Sequence, residues 1–142
     1  MPGALDYRQG IRPMRVDVAS LLAVGTGAFL GAVLRWLLGL LLNPVFPTVP
    51  LGTLAANLLG GLLMGLALGA FAHYESLPPL ARLFFTTGFL GGLTTFSTFS
   101  AETVTLLLRQ QYVWTVAIIG MHLLGSLAMT LAGIGIVRAF LR

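Results

Sequence analysis

Long apolar runs separated by short polar turns dominate the chain. The runs are Val18–Leu42, Leu51–Ala72, Leu80–Leu108 and Val113–Phe140, and each exceeds the ~20 residues that a helix needs to span a bilayer. Their apolar residues do not alternate with polar ones as in a membrane β-barrel, and an open sheet would leave backbone groups unsatisfied in lipid. We therefore predict an all-α integral membrane protein with four transmembrane helices.

The connections between these runs are too short to hold a further domain. Asn43–Pro50 and His73–Pro79 contain prolines that are typical of turns, and Arg109–Tyr112 is shorter still. We expect a polar N-terminal tail over residues 1–17 and a membrane domain over residues 18–142. No apolar core precedes Val18, so we expect no cleavable signal; Met14 is an alternative start residue.

The composition agrees with a membrane protein and excludes several other classes. Hydrophobic residues make up 57% of the 142 positions and charged residues 8%, and the mean hydropathy is +0.95. The chain has no cysteine, which excludes disulfides and thiolate metal sites. Its net charge of +4 contains no lysine and no dense basic run, so we expect no nucleic-acid partner.

Arginines are unevenly distributed between the two predicted sides of the membrane. Opposite the N-terminus lies Arg109, with Arg35 inside the first helix nearer that side. The side of the N-terminus carries Arg8, Arg12, Arg15, Arg82, Arg138 and Arg142. This bias predicts a cytoplasmic N-terminus, although a start at Met14 would remove two of these arginines.

Small residues indicate close helix packing. Gly61-x-x-x-Gly65-x-x-x-Gly69 forms a continuous small-residue face on the second helix. The face predicts tight contact either within the subunit or between subunits. Because four helices enclose little space, we expect a pore through this protein to require an oligomer.

The third apolar run contains an unusually polar segment, Gly91-Gly92-Leu93-Thr94-Thr95-Phe96-Ser97-Thr98-Phe99-Ser100-Ala101-Glu102. A buried hydroxyl without a partner costs about 1–3 kcal/mol, and an ionisable group in the membrane costs more, so such residues usually line a path. The glycine pair followed by two β-branched threonines predicts an interruption of the helix at its centre. Carbonyls freed there need partners, and a bound cation is one such partner.

The second helix adds Thr53 and Asn57, four residues apart on one face. The amide of Asn57 must meet a partner helix, a buried water or a permeant species. Amide and hydroxyl hydrogens, together with the electropositive ring edges of Phe96 and Phe99, would suit a small, hard anion such as fluoride. A strongly hydrated anion needs several hydrogen-bond donors at short distance, and these must still bind it weakly enough to let it leave.

Three ordered motifs in this sequence resemble the family of small fluoride channels called Fluc or CrcB. They are Gly27-Ala28-x-x-Gly31-Ala32-x-x-Arg35-Trp36, Gly52-Thr53-Leu54-x-x-Asn57-x-x-Gly60 and Gly88-x-x-Gly91-Gly92-Leu93-Thr94-Thr95-Phe96-Ser97-Thr98-Phe99-Ser100-x-Glu102. The resemblance implies a multi-pass protein of the plasma membrane or cell inner membrane that exports fluoride passively. It also implies an antiparallel, dual-topology homodimer with two pathways and a structural sodium ion at its centre.

The resemblance also assigns roles to single residues. It makes Asn57 a hydrogen-bond donor to fluoride, and Phe96 and Phe99 an aromatic box along the pathway. Arg35 would lie near the vestibule, where it either draws in anions or anchors the helix end. The polar track would continue through Thr53, Ser97, Ser100 and Glu102.

For sodium, the resemblance points to the backbone carbonyls of Gly91 and Thr94, two from each subunit.

The fourth helix matches the family only loosely. His122 and Ser126, four residues apart, stand where a hydroxyl contribution is expected, and His122 is either a helix-contact residue or part of the pathway.

Other functions need features that the sequence supplies only in part. A proton-coupled fluoride exchanger or small-molecule antiporter would depend on Glu102, the one acid within a predicted span, but a small multidrug antiporter needs an acid in the first helix, which has none. An intramembrane hydrolase would need a motif such as Gly-x-Ser-x-Gly, so we expect no enzyme. A structural scaffold needs no polar third helix.

The arginine bias fits poorly with equal insertion in both orientations, which leaves self-pairing and pairing with an oppositely oriented relative as alternatives.

Overall fold

The computed structural model describes residues 16–74 and 76–141, and its regular structure there is entirely helical. The first two spans are α1 (Val18–Leu42), which a short 3₁₀ turn (Asn43–Val45) follows, and α2 (Leu51–His73). The third span is divided, and α6 (Tyr112–Phe140) is the fourth. Most of the predicted tail, with Arg8, Arg12, Met14 and Arg15, and the C-terminal Arg142 lie outside the described residues.

The third span consists of two halves separated by Thr94 and Thr95. Its first half runs through α3 (Pro79–Leu83), a π-helical stretch (Phe84–Leu90) and α4 (Gly91–Leu93), and its second half is α5 (Phe96–Leu108). The predicted interruption is therefore confirmed. The π-helical stretch was not predicted; such wide turns occur often at functional sites.

In the described part of the chain, three continuous helices are long and apolar enough to cross a membrane. They begin at Val18, Leu51 and Tyr112. The third span is not one of these three, because the break divides it into two shorter halves. The predicted bounds of α1 are confirmed, while α2 ends one residue later and α6 begins one residue earlier than predicted.

Side chains fix the entry into α1 and its exit. The carboxylate of Asp17 caps α1 by accepting a hydrogen bond from Ser20 N at 2.7 Å, and hydrogen bonds from the side chain and the backbone of Ser20 lower the pKa of Asp17. At the other end, Asn43 Oδ1 accepts from Gly52 N at 2.8 Å, which ties the connection to the start of α2. These bonds satisfy backbone groups that the helix ends leave free.

The small-residue face of α2 packs against α6 within one subunit. A Cβ atom added at Gly61 would lie 2.7 Å from the carbonyl oxygen of Ser126, and one at Gly65 would overlap the backbone of Thr130. The Thr130 hydroxyl donates to Gly61 O at 3.0 Å across this contact. Of the two predicted alternatives, the contact within the subunit is the one observed.

The first half of the third span packs equally closely against α1. Added Cβ atoms at Gly27 and Gly31 would overlap the carbonyl oxygens of Phe84 and Phe89, and one at Gly92 would overlap that of Ala28. On the α2 side, Leu90 and Leu93 are fully buried against Ala56. Packing on both sides holds the end of this half-helix in place, and so fixes the position of the break.

Candidate functional site

The backbone leaves the helical conformation at two consecutive threonines. Thr94 has φ −83° and ψ 153°, and Thr95 has φ −148° and ψ 119°. Thr95 then caps α5, because its Oγ1 accepts a hydrogen bond from Thr98 N at 3.2 Å. The break is thus a short extended segment between two helix ends.

Asn57 holds this extended segment through its side-chain amide. Its Oδ1 accepts from Thr95 N at 2.8 Å, and its Nδ2 donates to Thr95 O at 3.0 Å. The same Nδ2 lies 2.9 Å from Nδ1 of His122 on α6. The amide nitrogen has two hydrogens and no acceptor capacity, so His122 Nδ1 accepts the second one. Asn57 therefore joins α2, the break and α6.

This arrangement leaves backbone carbonyls without their helical donors, among them those of Gly91 and Thr94. In a continuous helix, Gly91 O would accept from Thr95 N, and Thr94 O would accept from Thr98 N. Thr95 N instead donates to Asn57, and Thr98 N donates to the hydroxyl of Thr95. These two carbonyls are the pair expected to hold sodium. Because no side chain or backbone lies near the Cβ position of Gly91, open space adjoins it.

A third carbonyl at the break is bound by Arg35. Arg35 Nε on α1 donates to Gly92 O at 3.0 Å, and the guanidinium is partly buried. The contact crosses from α1 to the helix end rather than to the membrane surface, so Arg35 supports the break directly. It also brings a permanent positive charge close to the site.

His122 contributes a hydrogen-bond donor that the sequence only partly indicated. The residue is 4% exposed, and its ring stacks on Phe99 with centroids 4.6 Å apart. Because Nδ1 accepts from Asn57, the ring proton belongs on Nε2. Nε2 is buried and has no hydrogen-bond partner among the described residues. In the sequence, the signal for this donor was a histidine within an apolar helix, four residues before Ser126.

The two phenylalanines lie together, as their spacing predicts. Their rings meet edge to face, with centroids 5.6 Å apart. Phe99 packs against His122, whereas Phe96 is 79% exposed. The outer ring is therefore available to a further surface.

Two cavities adjoin the break. The larger has a volume of about 430 Å³, and its lining includes Asn57, Gly91, Thr94, Thr95, Phe96, Phe99, His122 and Ser126. The other has a volume of about 280 Å³, and its lining includes Arg35, Trp36, Gly39, Thr53, Thr95 and Thr98. Thr95 borders both cavities, so the segment held by Asn57 forms the partition between them.

The remaining candidate residues are Thr53, Ser97, Ser100 and Glu102, and they differ in their contact with the break. Thr53 is buried, and its Oγ1 donates to Glu102 Oε1 at 2.6 Å, while Glu102 Oε2 is buried without a partner among the described residues. Ser97 is exposed, with its Oγ 3.3 Å from Thr95 Oγ1. Ser100 is partly buried, and neither it nor Glu102 lines either of the two cavities.

The donor set suits small ions rather than covalent chemistry. Hydroxyl, amide and imidazole N–H groups can replace part of the hydration shell of an anion, and free carbonyls can do so for a cation. Within residues 16–74 and 76–141, no cluster of histidines and carboxylates is suited to hold a metal. A cation site here would therefore be built from backbone oxygens.

Comparison with known proteins gives the same family as the motifs. The family described as "CrcB-like protein, Camphor Resistance (CrcB)" matches residues 22–134. A protein of Nitrosospira multiformis named "Fluoride-specific ion channel FluC" is 67% identical over 119 residues, which cover 84% of this chain and 93% of the relative. Proteins with the same name from Tolumonas auensis and Nitrosomonas europaea are 59% and 55% identical, covering 80% and 84% of this chain and 90% and 94% of those relatives.

The family match covers the second and third spans completely, including the break, and most of α1 and α6. The relatives are named ion channels rather than enzymes. Together with the spanning helices, this makes the chain a multi-pass membrane protein. The chain belongs to the CrcB family.

Proposed function

We propose that this chain forms a passive, fluoride-selective channel that exports fluoride from the cytoplasm. The relatives named as fluoride-specific channels support the choice of ion. The observation that carries the proposal is the partition at Thr95, with a cavity on each side and the Asn57 amide across it. An ion that passes between the cavities must pass this amide.

On the smaller-cavity side, the positive charge of Arg35 attracts anions, and the hydroxyls of Thr53 and Thr98 replace part of their hydration. At the partition, an Asn57 hydrogen turns from Thr95 O or His122 Nδ1 to the anion. Since both hydrogens are bonded beforehand, the net gain for fluoride is small, which favours passage over tight binding.

On the larger-cavity side, the free Nε2 hydrogen of His122 and the ring edges of Phe96 and Phe99 meet the anion. Such donors favour a small anion that can approach them closely.

Further hydroxyl and carboxyl groups extend the polar track at Thr53, Ser97, Ser100 and Glu102.

We further propose that the channel is an antiparallel homodimer with two pathways. The larger cavity is partly open, and Phe96 in its lining is 79% exposed. A second copy placed there would close the cavity and bury the ring, which one subunit alone leaves uncovered. Two copies related by two-fold symmetry would create two equivalent pathways.

The carbonyls of Gly91 and Thr94 fit a structural sodium ion at the centre of this dimer. Both have lost their helical donors, and both residues line the open cavity. Two such carbonyls from each subunit would supply the hard oxygen ligands that an alkali cation prefers. A cation bound there would stabilise the freed carbonyls and join the two subunits.

A proton-coupled exchanger is the second candidate, because Glu102 Oε2 is buried without a partner. A carboxyl group in this position could exchange a proton if water reached it. Glu102 lines neither cavity and contacts the lining of the smaller one only through the hydroxyl of Thr53, which makes this candidate weaker than the channel.

Efflux from liposomes distinguishes these functions. Purified protein is reconstituted with internal potassium fluoride, and valinomycin compensates the charge. A channel releases fluoride rapidly when valinomycin is added, much faster than chloride, at either of two external pH values. Fluoride release that requires a proton gradient would favour the exchanger, and the absence of release would contradict both.

A further inference from the structure

A separate cavity of about 430 Å³ lies between the last turns of α2 and α6. Its walls are mainly apolar, with Leu68 on α2 and Ile134 and Val137 on α6. At the groove the two helices approach closely, since a Cβ atom added at Gly69 would lie 2.7 Å from Cβ of Val137. The lining shares no residue with the two cavities at the break.

Two basic side chains, His73 and Arg138, line the groove at the helix ends, and no acidic side chain is among the described residues of the lining. Each lies in the last turn of its helix, where the helix dipole stabilises a cation. The helix dipole explains why a basic residue lies in the last turn of each helix, but it does not explain the apolar groove beside His73 and Arg138. Arg138 is exposed and forms no hydrogen bond or ion pair with the described part of the chain.

The open end of the groove lies at the level expected for lipid headgroups. Tyr74 follows His73, is exposed, and meets the His73 ring edge to face at 4.8 Å. On the same side, Arg82 donates to the carbonyl of Tyr74. Tyrosine and arginine at the end of a spanning helix are typical of the membrane interface.

We propose that this groove binds an anionic glycerophospholipid. The headgroup phosphate contacts Arg138 and His73, and one acyl chain lies along Leu68, Ile134 and Val137 towards the membrane interior. A free phosphate would use the charge but gain nothing from the apolar wall, whereas a zwitterionic lipid would use the wall with little gain from the charge. The groove combines both features, which only an anionic lipid matches.

The direct test is native mass spectrometry of the purified full-length protein in detergent, titrated with phosphatidylglycerol or with phosphatidylcholine of the same acyl chains. The expected result is preferential retention of phosphatidylglycerol. Arg138→Gln should weaken that retention about fivefold, since one basic group near an anionic lipid contributes about that factor. Arg109→Gln removes the same charge at the opposite end of the domain and should leave retention unchanged.

A second variant tests the wall independently of the charge. Leu68→Trp places a large side chain in the groove at an exposed position, and it should reduce retention of both lipids. Circular dichroism and gel filtration confirm that each variant is folded. Equal retention of the two lipids by the wild type, unchanged retention by Arg138→Gln, or displacement of the lipid by glycerol phosphate would each overturn the proposal.

Discussion

The side-chain amide of Asn57 pairs with the backbone of Thr95 through two hydrogen bonds of 2.8 and 3.0 Å. The pair resembles one step of a β-ladder, built from a side chain and a single extended residue. It lies where the third span is broken and where the two cavities adjoin. We therefore expect stability and ion passage to depend on the same amide, and variants at this position must be tested for both.

Asn57→Ala should abolish fluoride efflux and also destabilise the protein. Removal of the amide leaves Thr95 N and O without partners, which costs about 2–6 kcal/mol at roughly 1–3 kcal/mol for each buried group. Efflux assays and denaturant unfolding in detergent measure the two effects. Wild-type efflux from Asn57→Ala would remove this residue from the pathway.

Phe96→Ile should slow fluoride efflux strongly with little effect on the stability of the subunit. The side chain is 79% exposed, so its loss removes few contacts within the subunit but removes the ring edge beside the cavity. Phe29→Ile is the matched control, because Phe29 is 68% exposed on α1, away from the break. Equal efflux rates in the two variants would contradict the role of Phe96.

His122→Leu should lower the fluoride efflux rate about tenfold, since it removes the acceptor for Asn57 and the free Nε2 hydrogen at a cost of about 1–2 kcal/mol. His122→Gln keeps an acceptor and a donor at similar reach and should retain more activity than His122→Leu. Single-channel or liposome flux measurements rank the variants. A leucine variant as active as the glutamine variant would make His122 a packing residue only.

Thr95→Ala should weaken the dependence of the dimer on sodium. Without the hydroxyl, Thr98 N loses its cap, so the helix start next to Thr94 O is less well fixed and holds a cation less firmly. Thr95→Ser keeps the hydroxyl and should behave like the wild type. The measurement is the dimer fraction by light scattering after sodium is replaced with N-methylglucamine. A dimer fraction that responds identically to sodium in all three proteins would count against a site at Thr94.

Glu102→Gln should leave fluoride efflux independent of external pH and close to the wild-type rate. The glutamine carbonyl can still accept from Thr53 Oγ1, so the contact between α2 and α5 is preserved. Liposome efflux at two pH values provides the comparison. Loss of a pH-dependent component in this variant would instead identify Glu102 as a proton carrier.

The sequence predicted the spans and the position of the break because these depend on local composition. Apolar length determined α1 to its last residue, and the glycine and threonine pairs marked the weak point of the third span. The π-helical stretch Phe84–Leu90 was not predicted, since nothing in its composition distinguishes it from an ordinary apolar helix.

The contacts that build the site join residues far apart in the chain, and the sequence left them open. Asn57 had three alternative partners, of which the structure selects neighbouring helices: the break and α6. Arg35 was expected to attract anions or anchor a helix end, but its bond to Gly92 O depends on how α1 packs against the third span. The roles of these residues in ion passage, and the sodium site, stay predictions.

The partition at Thr95 has a consequence for protein engineering. Because main-chain atoms form it, a replacement at position 95 changes the cap of α5 but presents the same peptide N–H and C=O to the amide of Asn57. Libraries aimed at accepting a different halide should therefore vary Asn57, which binds that peptide from α2, and Arg35, which binds the nearby carbonyl of Gly92 from α1, rather than Thr95 itself.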